Sequence, residues 1–231
     1  MRDPRAILIT GASGGIGGAL ARLCKLGGIS GDHWPQRRAP LDRASPLDLV
    51  IANAGITGGI DGDSEGETLA DVQRILKINF GGVCSTVHPV VPAMRRRGRG
   101  QLALMSSLAA LRGLPYSLAY CASKAALKAY GEALRAWLRP QSIEVSVVLP
   151  GFVDTKLAGH VAGPKPLQMT AERAARIIRR RLARNDAHIA FPLLLHWCLR
   201  IAAILPPALV DSILTSVKVD IRRYEWASRS E

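Results

Sequence analysis

The chain has 231 residues, 48% of them hydrophobic and 21% charged, which suits one globular domain with a substantial core and requires no second domain. Its formal net charge of +13 and its isoelectric point near 10.4 attract polyanions, among them nucleic acid, anionic lipid and an acidic carrier protein. Nucleic acid is the least favoured of these, because the arginine clusters at 95–99 and 173–184 lack a DNA-binding helix pair, a zinc site or an aromatic stacking platform.

The four cysteines, Cys24, Cys84, Cys121 and Cys198, are scattered along the chain and lack the spacing of metal ligands. We therefore expect reduced thiols and no metal site. The N-terminus enters a strand within a few residues and shows no long apolar segment with a cleavage site. These features predict a cytoplasmic protein.

The first predicted element is a buried strand at Ile7–Ile9, which leads into the glycine-rich turn TGASGGIG and a helix from about Gly15. Glycine at 11, 15 and 17 lets the backbone turn tightly and lets a pyrophosphate approach without a Cβ in the way. The helix would point its unpaired N–H groups and the positive end of its dipole at that pyrophosphate. A glycine turn between a strand and a helix also occurs without a ligand, so the turn needs support from residues further along the chain.

Residues 24–46 are rich in Gly, Pro, Arg and Asp and have no period of 2 or 3.6, which predicts irregular structure. An apolar strand, LDLVIANAG, follows and ends at Asn53, Ala54 and Gly55. The loop ITGGIDGDSEGE comes next, and it suits a position beside a cofactor or a subunit. From Thr68 to Met94 apolar residues recur at helical spacing until Asn79 interrupts them ahead of two glycines.

Three polar side chains are predicted to converge after this helix. The apolar run QLALMSS predicts a strand, and Ser107 stands at its C-terminal end, where open α/β sheets bind ligands. Residues 116–138 predict one long helix that carries Tyr120 and Lys124 four residues apart on one face. A phenol has a pKa of about 10, so it exchanges a proton at neutral pH only where a neighbouring cation favours the phenolate. Lys124 supplies that cation, and the apolar loop between Ser107 and Tyr120 is expected to line the substrate site.

The C-terminal third begins with a strand at Ile143–Leu149 that ends in Pro150 and Gly151. It continues with a predicted mobile lid at 156–168, a helix at Thr170–Arg184 and a last strand at 188–191. The following stretch, PLLLHWCLRIAAILPPALVDSIL, is apolar, but Arg200 and several prolines divide it into runs too short for a bilayer span of about 20 residues. It predicts a helix pair that covers the core or a dimer partner, or else peripheral membrane contact through residues such as Trp197.

Together and in this order, these segments resemble the classical short-chain dehydrogenase/reductase (SDR) family. The matching pieces are TGxxxGxG from Thr10 to Gly17, NAG at 53–55, Asn79, Ser107, Tyr120 with Lys124, and PGFVDT at 150–155. The resemblance implies an α/β doubly wound, Rossmann-type parallel sheet that binds NAD or NADP. It also implies interconversion of a carbonyl and an alcohol in a small-molecule substrate, in a homo-oligomer.

The resemblance assigns roles to four catalytic residues. Tyr120 would be the general acid and base, Ser107 would hydrogen-bond the substrate oxygen, Lys124 would lower the pKa of the phenol and bond the nicotinamide ribose, and Asn79 would anchor a relay water. The implied cofactor-binding residues are Thr10, Gly11, Ser13, Gly15, Ile16, Gly17, Asn53, Ala54, Gly55, Tyr120, Lys124, Pro150, Gly151, Val153 and Thr155.

Members of the family place two strands and two helices where this chain has only residues 18–46. We therefore expect a single domain over 1–231 that is shortened on its N-terminal, adenine-side half. It would consist of a truncated dinucleotide-binding part (1–55), a catalytic core (56–190) and apolar C-terminal helices (191–231). The chain must then double back from the first strand to LDLVIANAG, by a long detour, through a reduced second strand, or with a poorly ordered N-terminal half.

The shortening also removes the position that distinguishes the ribose 2′-hydroxyl of NAD from the 2′-phosphate of NADP. Asp32, or Arg37 with Arg38, could substitute or could be plain loop, and Asp42 is a candidate for the acidic residue on the adenine side. A rival hypothesis is a catalytically impaired or partner-binding protein that binds the cofactor poorly. An acidic carrier protein as substrate donor would account for the basic surface, but the same charge would serve any anion.

Overall fold

A five-stranded parallel sheet runs through the centre of the protein in the order β1-β2-β3-β4-β5. It is seen in a computed structural model, which describes residues 6–24, 46–60, 66–216 and 220–221. The strands are β1 (Ile7–Ile9), β2 (Leu49–Ala52), β3 (Gly100–Met105), β4 (Ile143–Pro150) and β5 (His188–Phe191). The central strands are mostly apolar, with Gln101 and Ser146 as buried polar exceptions, because helices cover both faces of the sheet. The predicted α/β doubly wound fold is therefore confirmed.

The helices form two layers. One face of the sheet carries α1 and α6, whose apolar residues Ala19, Leu20, Ala174 and Ile178 share a core cluster with the sheet. The other face carries α2 to α5. The bounds are α1 (Gly15–Leu23), α2 (Leu69–Leu76), α3 (Gly82–Val87), α4 (Val91–Arg97), α5 (Leu118–Leu138), α6 (Ala171–Leu182), α7 (Leu193–Ile204) and α8 (Pro207–Ser216). A single helical turn at Lys156–Gly159 and two pairs of two-residue strands lie outside these layers.

The first strand pairs directly with the strand that carries Asn53. Ile7 stands opposite Leu49 and Ile9 opposite Ile51, so the chain does double back to this neighbour as predicted. Within the described residues, β1 is the edge of the sheet. The irregular segment predicted around 24–46, with Asp32, Arg37, Arg38 and Asp42, falls at 25–45 outside the described residues.

Most predicted elements are present with shifted ends. The long helix begins at Leu118 rather than at residue 116, and α6 is capped by Thr170, whose hydroxyl accepts from the Arg173 N–H at 3.3 Å. The interruption predicted at Asn79 is a π-helical segment, Lys77–Gly81, between α2 and α3. Such single-turn π segments occur often at functional sites. The predicted lid at 156–168 contains the helical turn and one short strand at Val161–Ala162.

The C-terminal helices cover the sheet with only part of their apolar surface. Leu195 and Leu199 of α7 pack against the buried residues Leu108 and Leu149, and Val210 of α8 is buried. The opposite sides of both helices face solvent. None of the helices in the described ranges has the length and apolarity needed to cross a membrane.

Helix α5 lies close to the sheet because Gly131 has no side chain. A Cβ at this position would lie 2.5 Å from Val147 Cγ2 and 3.1 Å from Leu104 Cδ1. Leu127, Leu134 and Leu138 fill the same interface and are buried. The absence of a Cβ at 131 thus fixes the height of α5, and with it Tyr120 and Lys124, above the strands.

We predict that Gly131→Ala destabilises the protein by about 1 to 3 kcal/mol, because the added methyl group overpacks the interface between helix and sheet. Gly82→Ala is the matched control, since its backbone is helical and a Cβ there meets nothing within 4 Å. The control should gain about 0.5 to 1 kcal/mol from helix propensity. Chemical denaturation of both variants measures the difference, and a Gly131→Ala protein that is as stable as Gly82→Ala would contradict this packing.

Candidate active site

The residues singled out in the sequence lie where the parallel strands end. Thr10 follows β1, Asn53 follows β2, Ser107 follows β3, and Gly151 follows β4. Open α/β sheets bind their ligands at this carboxyl edge. The edge is therefore the candidate site, and each group below is described by its contacts there.

Hydrogen bonds of the Thr10 and Asn53 side chains join the ends of the first two strands. The Thr10 hydroxyl accepts from the N–H groups of Asn53 at 2.9 Å and Ala54 at 3.0 Å. The Asn53 side-chain amide donates in return to the carbonyl oxygens of Thr10 at 3.1 Å and Gly11 at 3.2 Å. These four bonds hold the glycine turn against β2 although β1 has only three residues.

The glycine turn has the shape of an anion cradle. Gly11 and Gly15 have positive φ angles of 67° and 54°, and a Cβ on Gly17 would lie 2.3 Å from the Gly11 carbonyl oxygen. Gly14 caps α1 without a side-chain hydrogen bond, the first turn holds no acid, and a Cβ on Gly14 would meet nothing within 4 Å. Ser13 is exposed beside it, and Ile16 is half-buried. An open helix N-terminus with uncapped N–H groups fits the pyrophosphate of a dinucleotide.

Asn79 is fully buried and fixes the loop that follows β2. Its Oδ1 accepts from the Ile56 N–H at 2.8 Å, and its Nδ2 donates to the Ile56 carbonyl and to Ser123 Oγ, both at 3.0 Å. Ser123 Oγ donates to the Tyr120 carbonyl at 2.7 Å. Both N–H groups of the Asn79 amide are therefore used within the protein. A water could bind this side chain only through the second acceptor position of Oδ1.

Ser107, Tyr120 and Lys124 come together as the sequence predicts. The Ser107 side chain lies beside the Tyr120 phenol, and its Oγ donates to the Pro150 carbonyl at 3.4 Å and accepts from the Ala109 N–H at 3.1 Å. Lys124 is buried, with Nζ 5.5 Å from the centre of the Tyr120 ring. Its ammonium group donates to the Met105 carbonyl at 3.0 Å, and it faces Gly55, where a Cβ would lie 3.5 Å from Nζ.

Burial controls the protonation of this pair. It raises the pKa of Tyr120 to about 12, against the opposing effect of the neighbouring Ser107 hydroxyl and with a smaller contribution from Cys121. Burial also lowers the pKa of Lys124 to about 8. The expected lowering of the phenol pKa by Lys124 is thus absent from this arrangement. The Lys124 ammonium group donates to the Met105 carbonyl oxygen, and burial of Lys124 disfavours its charged form.

The segment after β4 closes the site on the side of the glycine turn. The Gly151 N–H donates to the Phe191 carbonyl at 2.8 Å, which holds the Pro150–Gly151 turn against the end of β5. Val153 is buried. The Thr155 hydroxyl accepts from the Ala158 N–H at 3.3 Å, and a Cβ on Gly15 would lie 3.1 Å from the Thr155 methyl carbon. Thr155 therefore lies beside the start of α1, at the opening predicted to receive a cofactor.

Three supporting residues were missed in the sequence. Ser106 Oγ donates to the Lys124 carbonyl at 2.8 Å, Ser123 joins Asn79 to Tyr120, and Glu67 accepts from the Ala119 N–H at 2.8 Å in the first turn of α5. Ser123 carried a usable signal, since it lies three residues after Tyr120 on the same helical face. No group of His, Cys, Asp or Glu residues in the described part of the chain could hold a metal ion.

We predict that the Lys124→Met protein is more stable than the wild type at pH 7 and that this advantage shrinks as the pH rises to 10. Below pH 8 Lys124 is charged in both states, and burial of the charge destabilises only the folded state. Between about pH 8 and 10.5 the unfolded chain binds a proton that the folded protein does not, so the free energy of unfolding of the wild type rises with pH. The difference between the two proteins should change by about 2 to 3 kcal/mol, measured by urea denaturation across this range. A pH-independent difference would show that Lys124 titrates normally.

Comparison with known proteins gives consistent matches over most of the chain. The sequence profile of the family described as short chain dehydrogenase matches residues 38–164. An uncharacterized oxidoreductase of Myxococcus xanthus (strain DK1622) is 32% identical over 243 residues, which cover 90% of this chain and 95% of that protein. Since 243 exceeds the length of this chain, the alignment includes positions that the relative has and this chain lacks.

Two other relatives match over shorter stretches. Retinol dehydrogenase 8 of Bos taurus is 36% identical over 113 residues, covering 49% of this chain and 36% of that protein. A 3-ketodihydrosphingosine reductase of Bacteroides thetaiotaomicron is 33% identical over 178 residues, covering 66% of this chain and 65% of that protein. The chain thus spans only about a third and just under two thirds of the length of these two proteins.

Solved structures share the fold. A short chain dehydrogenase from Burkholderia cenocepacia J2315 in complex with NADP has a TM-score of 0.75 at 21% identity, covering 90% of this chain and 96% of that one. A short chain dehydrogenase from Mycobacterium paratuberculosis bound to NAD has a TM-score of 0.62 at 22% identity, covering 76% and 89%. Proteins of this fold have therefore been crystallised with either nicotinamide dinucleotide.

Proposed function

The chain belongs to the short-chain dehydrogenase/reductase family, and from this premise we propose that it is an oxidoreductase that uses NAD or NADP to interconvert a carbonyl compound and an alcohol. One observation carries the proposal: Ser107, Tyr120 and Lys124 meet at the carboxyl edge of the sheet, beside an open glycine turn. Three polar side chains gathered at this edge, two of them with pKa values shifted by burial, are typical of a catalytic site.

The residues around the glycine turn would hold the cofactor. Gly11, Gly15 and Gly17 leave room for the pyrophosphate at the start of α1, with Ser13 and Ile16 beside it. Thr10, Asn53, Ala54 and Gly55 form the adjoining wall, and Pro150, Gly151, Val153 and Thr155 form the opposite one. The nicotinamide ring, when bound, supplies or accepts the hydride.

In the reduction direction Tyr120 would donate its proton to the substrate oxygen. A pKa near 12 keeps the phenol protonated at neutral pH, so the described arrangement suits proton donation to a carbonyl better than proton removal from an alcohol. The Ser107 hydroxyl lies against the phenol and would hydrogen-bond the same oxygen as it gains charge. Lys124 lies on the buried side of the ring, with Nζ 5.5 Å from its centre, and would bond the nicotinamide ribose, as the resemblance implies.

Asn79 and Ser123 act on Tyr120 through the backbone. Their hydrogen bonds run from the loop after β2 to the Tyr120 carbonyl, so they hold the first turns of α5 in register with that loop. The remaining acceptor position of Asn79 Oδ1 would bind the water through which Tyr120 regains its proton. This assigns Asn79 a positioning role as well as the relay role expected from the sequence.

We also propose a cytoplasmic homo-oligomer. The thiols of Cys84, Cys121 and Cys198 are free, which fits a reducing compartment. An acidic carrier that presents a substrate would have to bind near the carboxyl edge of the sheet. The arginine cluster at 95–99 does not meet this requirement, because it lies at the end of α4 and leads into the first residue of β3, at the amino edge.

We predict that Tyr120→Phe lowers carbonyl reduction by about 10² to 10⁴-fold, because the proton donor is lost while the ring is kept. Reduction of a panel of aldehydes and ketones with NADH and NADPH measures the effect. Tyr130→Phe is the matched control: Tyr130 lies on the same helix, packs edge-on against Phe80 and should keep wild-type activity. Wild-type protein that turns over no faster than Tyr120→Phe with either cofactor would contradict the assignment.

We predict that Gly14→Asp weakens dinucleotide binding without destabilising the fold. The extended backbone of Gly14 accepts any residue, and an aspartate there caps α1 and stabilises it through the helix dipole. The same carboxylate repels a pyrophosphate, so affinity should fall roughly tenfold or more. Thermal shift and fluorescence titration separate the two effects, with Gly14→Asn as the neutral control of the same size. If neither cofactor stabilises the wild type, the rival hypothesis of an impaired, partner-binding protein takes precedence.

A further inference from the structure

The outward faces of α7 and α8 form an apolar surface that the proposed reaction does not use. Seven large side chains on this pair of helices and one on the link between them are exposed: Leu193, Leu194, Trp197, Ile201, Ile204, Leu205, Leu209 and Ile213. Ile204 is 83% exposed and Trp197 57%. Single exposed apolar residues are common on soluble proteins, but a run of this size on adjoining helices marks a binding surface.

This surface lies at the edge of the candidate site. On its inner side, Leu195 and Leu199 pack against a buried cluster that includes Leu108, the residue after Ser107. A Cβ on Gly151 would lie 3.4 Å from Leu195 Cδ2. Whatever binds the outward face of α7 is therefore one helix away from Ser107 and from the turn after β4.

An open groove lies beside α8. Its volume is about 690 Å³, within the range of small-molecule sites, and it lies between the loop after Ser107, the start of α5, and α8. The apolar residues that line it include Ala109, Leu111, Leu114, Leu118, Ala122 and Leu214. The loop that lines one side of the groove follows Ser107 in the chain, and α8 lines the other side, so the groove has room for an extended apolar chain beside these helices.

Charge indicates what covers the apolar surface. Between Pro192 and Ser216 the charged residues are Arg200 and Asp211, and Asp211 is paired with Arg112 at 2.8 Å. Arg200 also lies 5.7 Å from the centre of the Trp197 ring, which places a cation and an amphipathic aromatic side chain together on the same surface. The formal charge of +13 attracts the chain to an anionic lipid surface.

We propose that α7 and α8 dock the protein on the surface of an anionic bilayer. The apolar side chains enter the acyl boundary, Trp197 and Arg200 lie at the headgroup level, and the helices lie along the membrane because they are too short to cross it. The open groove then faces the lipid. This part of the proposal rests on the proposed function: the substrate is a carbonyl compound with a long apolar chain that the enzyme takes from the bilayer.

Flotation of the full-length protein with vesicles tests the docking. The wild type should bind vesicles of equal parts phosphatidylcholine and phosphatidylglycerol and bind those of phosphatidylcholine alone more weakly. Trp197→Ser and Ile204→Ser should each weaken binding roughly tenfold or more, because each removes an apolar side chain that is buried in the lipid. Both residues are exposed in the free protein, so these substitutions leave the core intact.

The chain offers matched controls at sites away from the surface. Trp137 is 54% exposed with Arg95 stacked 5.1 Å from its ring centre, and Leu69 on α2 is 72% exposed. Trp137→Ser and Leu69→Ser should bind vesicles as the wild type does. Controls that lose as much binding as Trp197→Ser and Ile204→Ser would overturn the proposal, and so would a wild type that binds neither vesicle. If the wild type forms a dimer and does not bind lipid, and Trp197→Ser dissociates that dimer, then the surface binds a second copy of the chain instead.

These experiments test membrane docking and catalysis independently. Flotation needs neither cofactor nor turnover, so Tyr120→Phe should float like the wild type. Trp197→Ser should slow reduction of a long-chain ketone held in vesicles while leaving reduction of a water-soluble aldehyde unchanged. Equal loss on both substrates would contradict delivery from the membrane, whereas a wild type that floats but reduces neither would contradict only the proposed function and the substrate class drawn from it.

Discussion

A buried chain of hydrogen bonds from Ile56 through Asn79 and Ser123 to the Tyr120 backbone is the constraint on which the candidate site depends. It joins the loop after β2 to the first turns of α5, two elements that are far apart in sequence. Buried polar groups are tolerated only when their hydrogen-bond partners are present, so this series of hydrogen bonds specifies a single arrangement of the loop and the helix. Asn79 lies in the π-helical segment at Lys77–Gly81, where its side chain can bond both Ile56 and Ser123. Through Ser123 these bonds position the start of α5, which carries Tyr120 and Lys124.

The short first strand is held in place by side-chain hydrogen bonds as well as by its pairing with β2. β1 has three residues and is an edge within the described part of the sheet, yet Thr10 and Asn53 tie its end to β2 with four hydrogen bonds. The glycine turn therefore depends on β2 more than on any neighbour on its other side. This explains how a first strand of three residues can support an open helix N-terminus, with Thr155 lying against Gly15.

The fold and the composition of the site could be predicted because both follow from local patterns. Apolar runs ending in Asn53, Ser107 and Gly151 predict parallel strands, and the four-residue spacing of Tyr120 and Lys124 places them on one helical face. The supporting residues could not be predicted in the same way. Ser106 and Glu67 act through backbone groups of α5, and nothing in their own neighbourhood indicates which backbone groups they will meet. The apolar C-terminal stretch predicted helices, but not which of their sides would be covered.

The sequence by itself determined the order of the elements, the family and the identity of the polar residues, since these depend on spacing along the chain. Only the tertiary structure decided how those residues titrate and which surfaces stay open. Burial raises the pKa of Tyr120 and lowers that of Lys124, and the Met105 carbonyl, rather than the phenol, binds the ammonium group. Desolvation and exposure depend on every atom that surrounds a group, and most of those atoms come from distant parts of the chain.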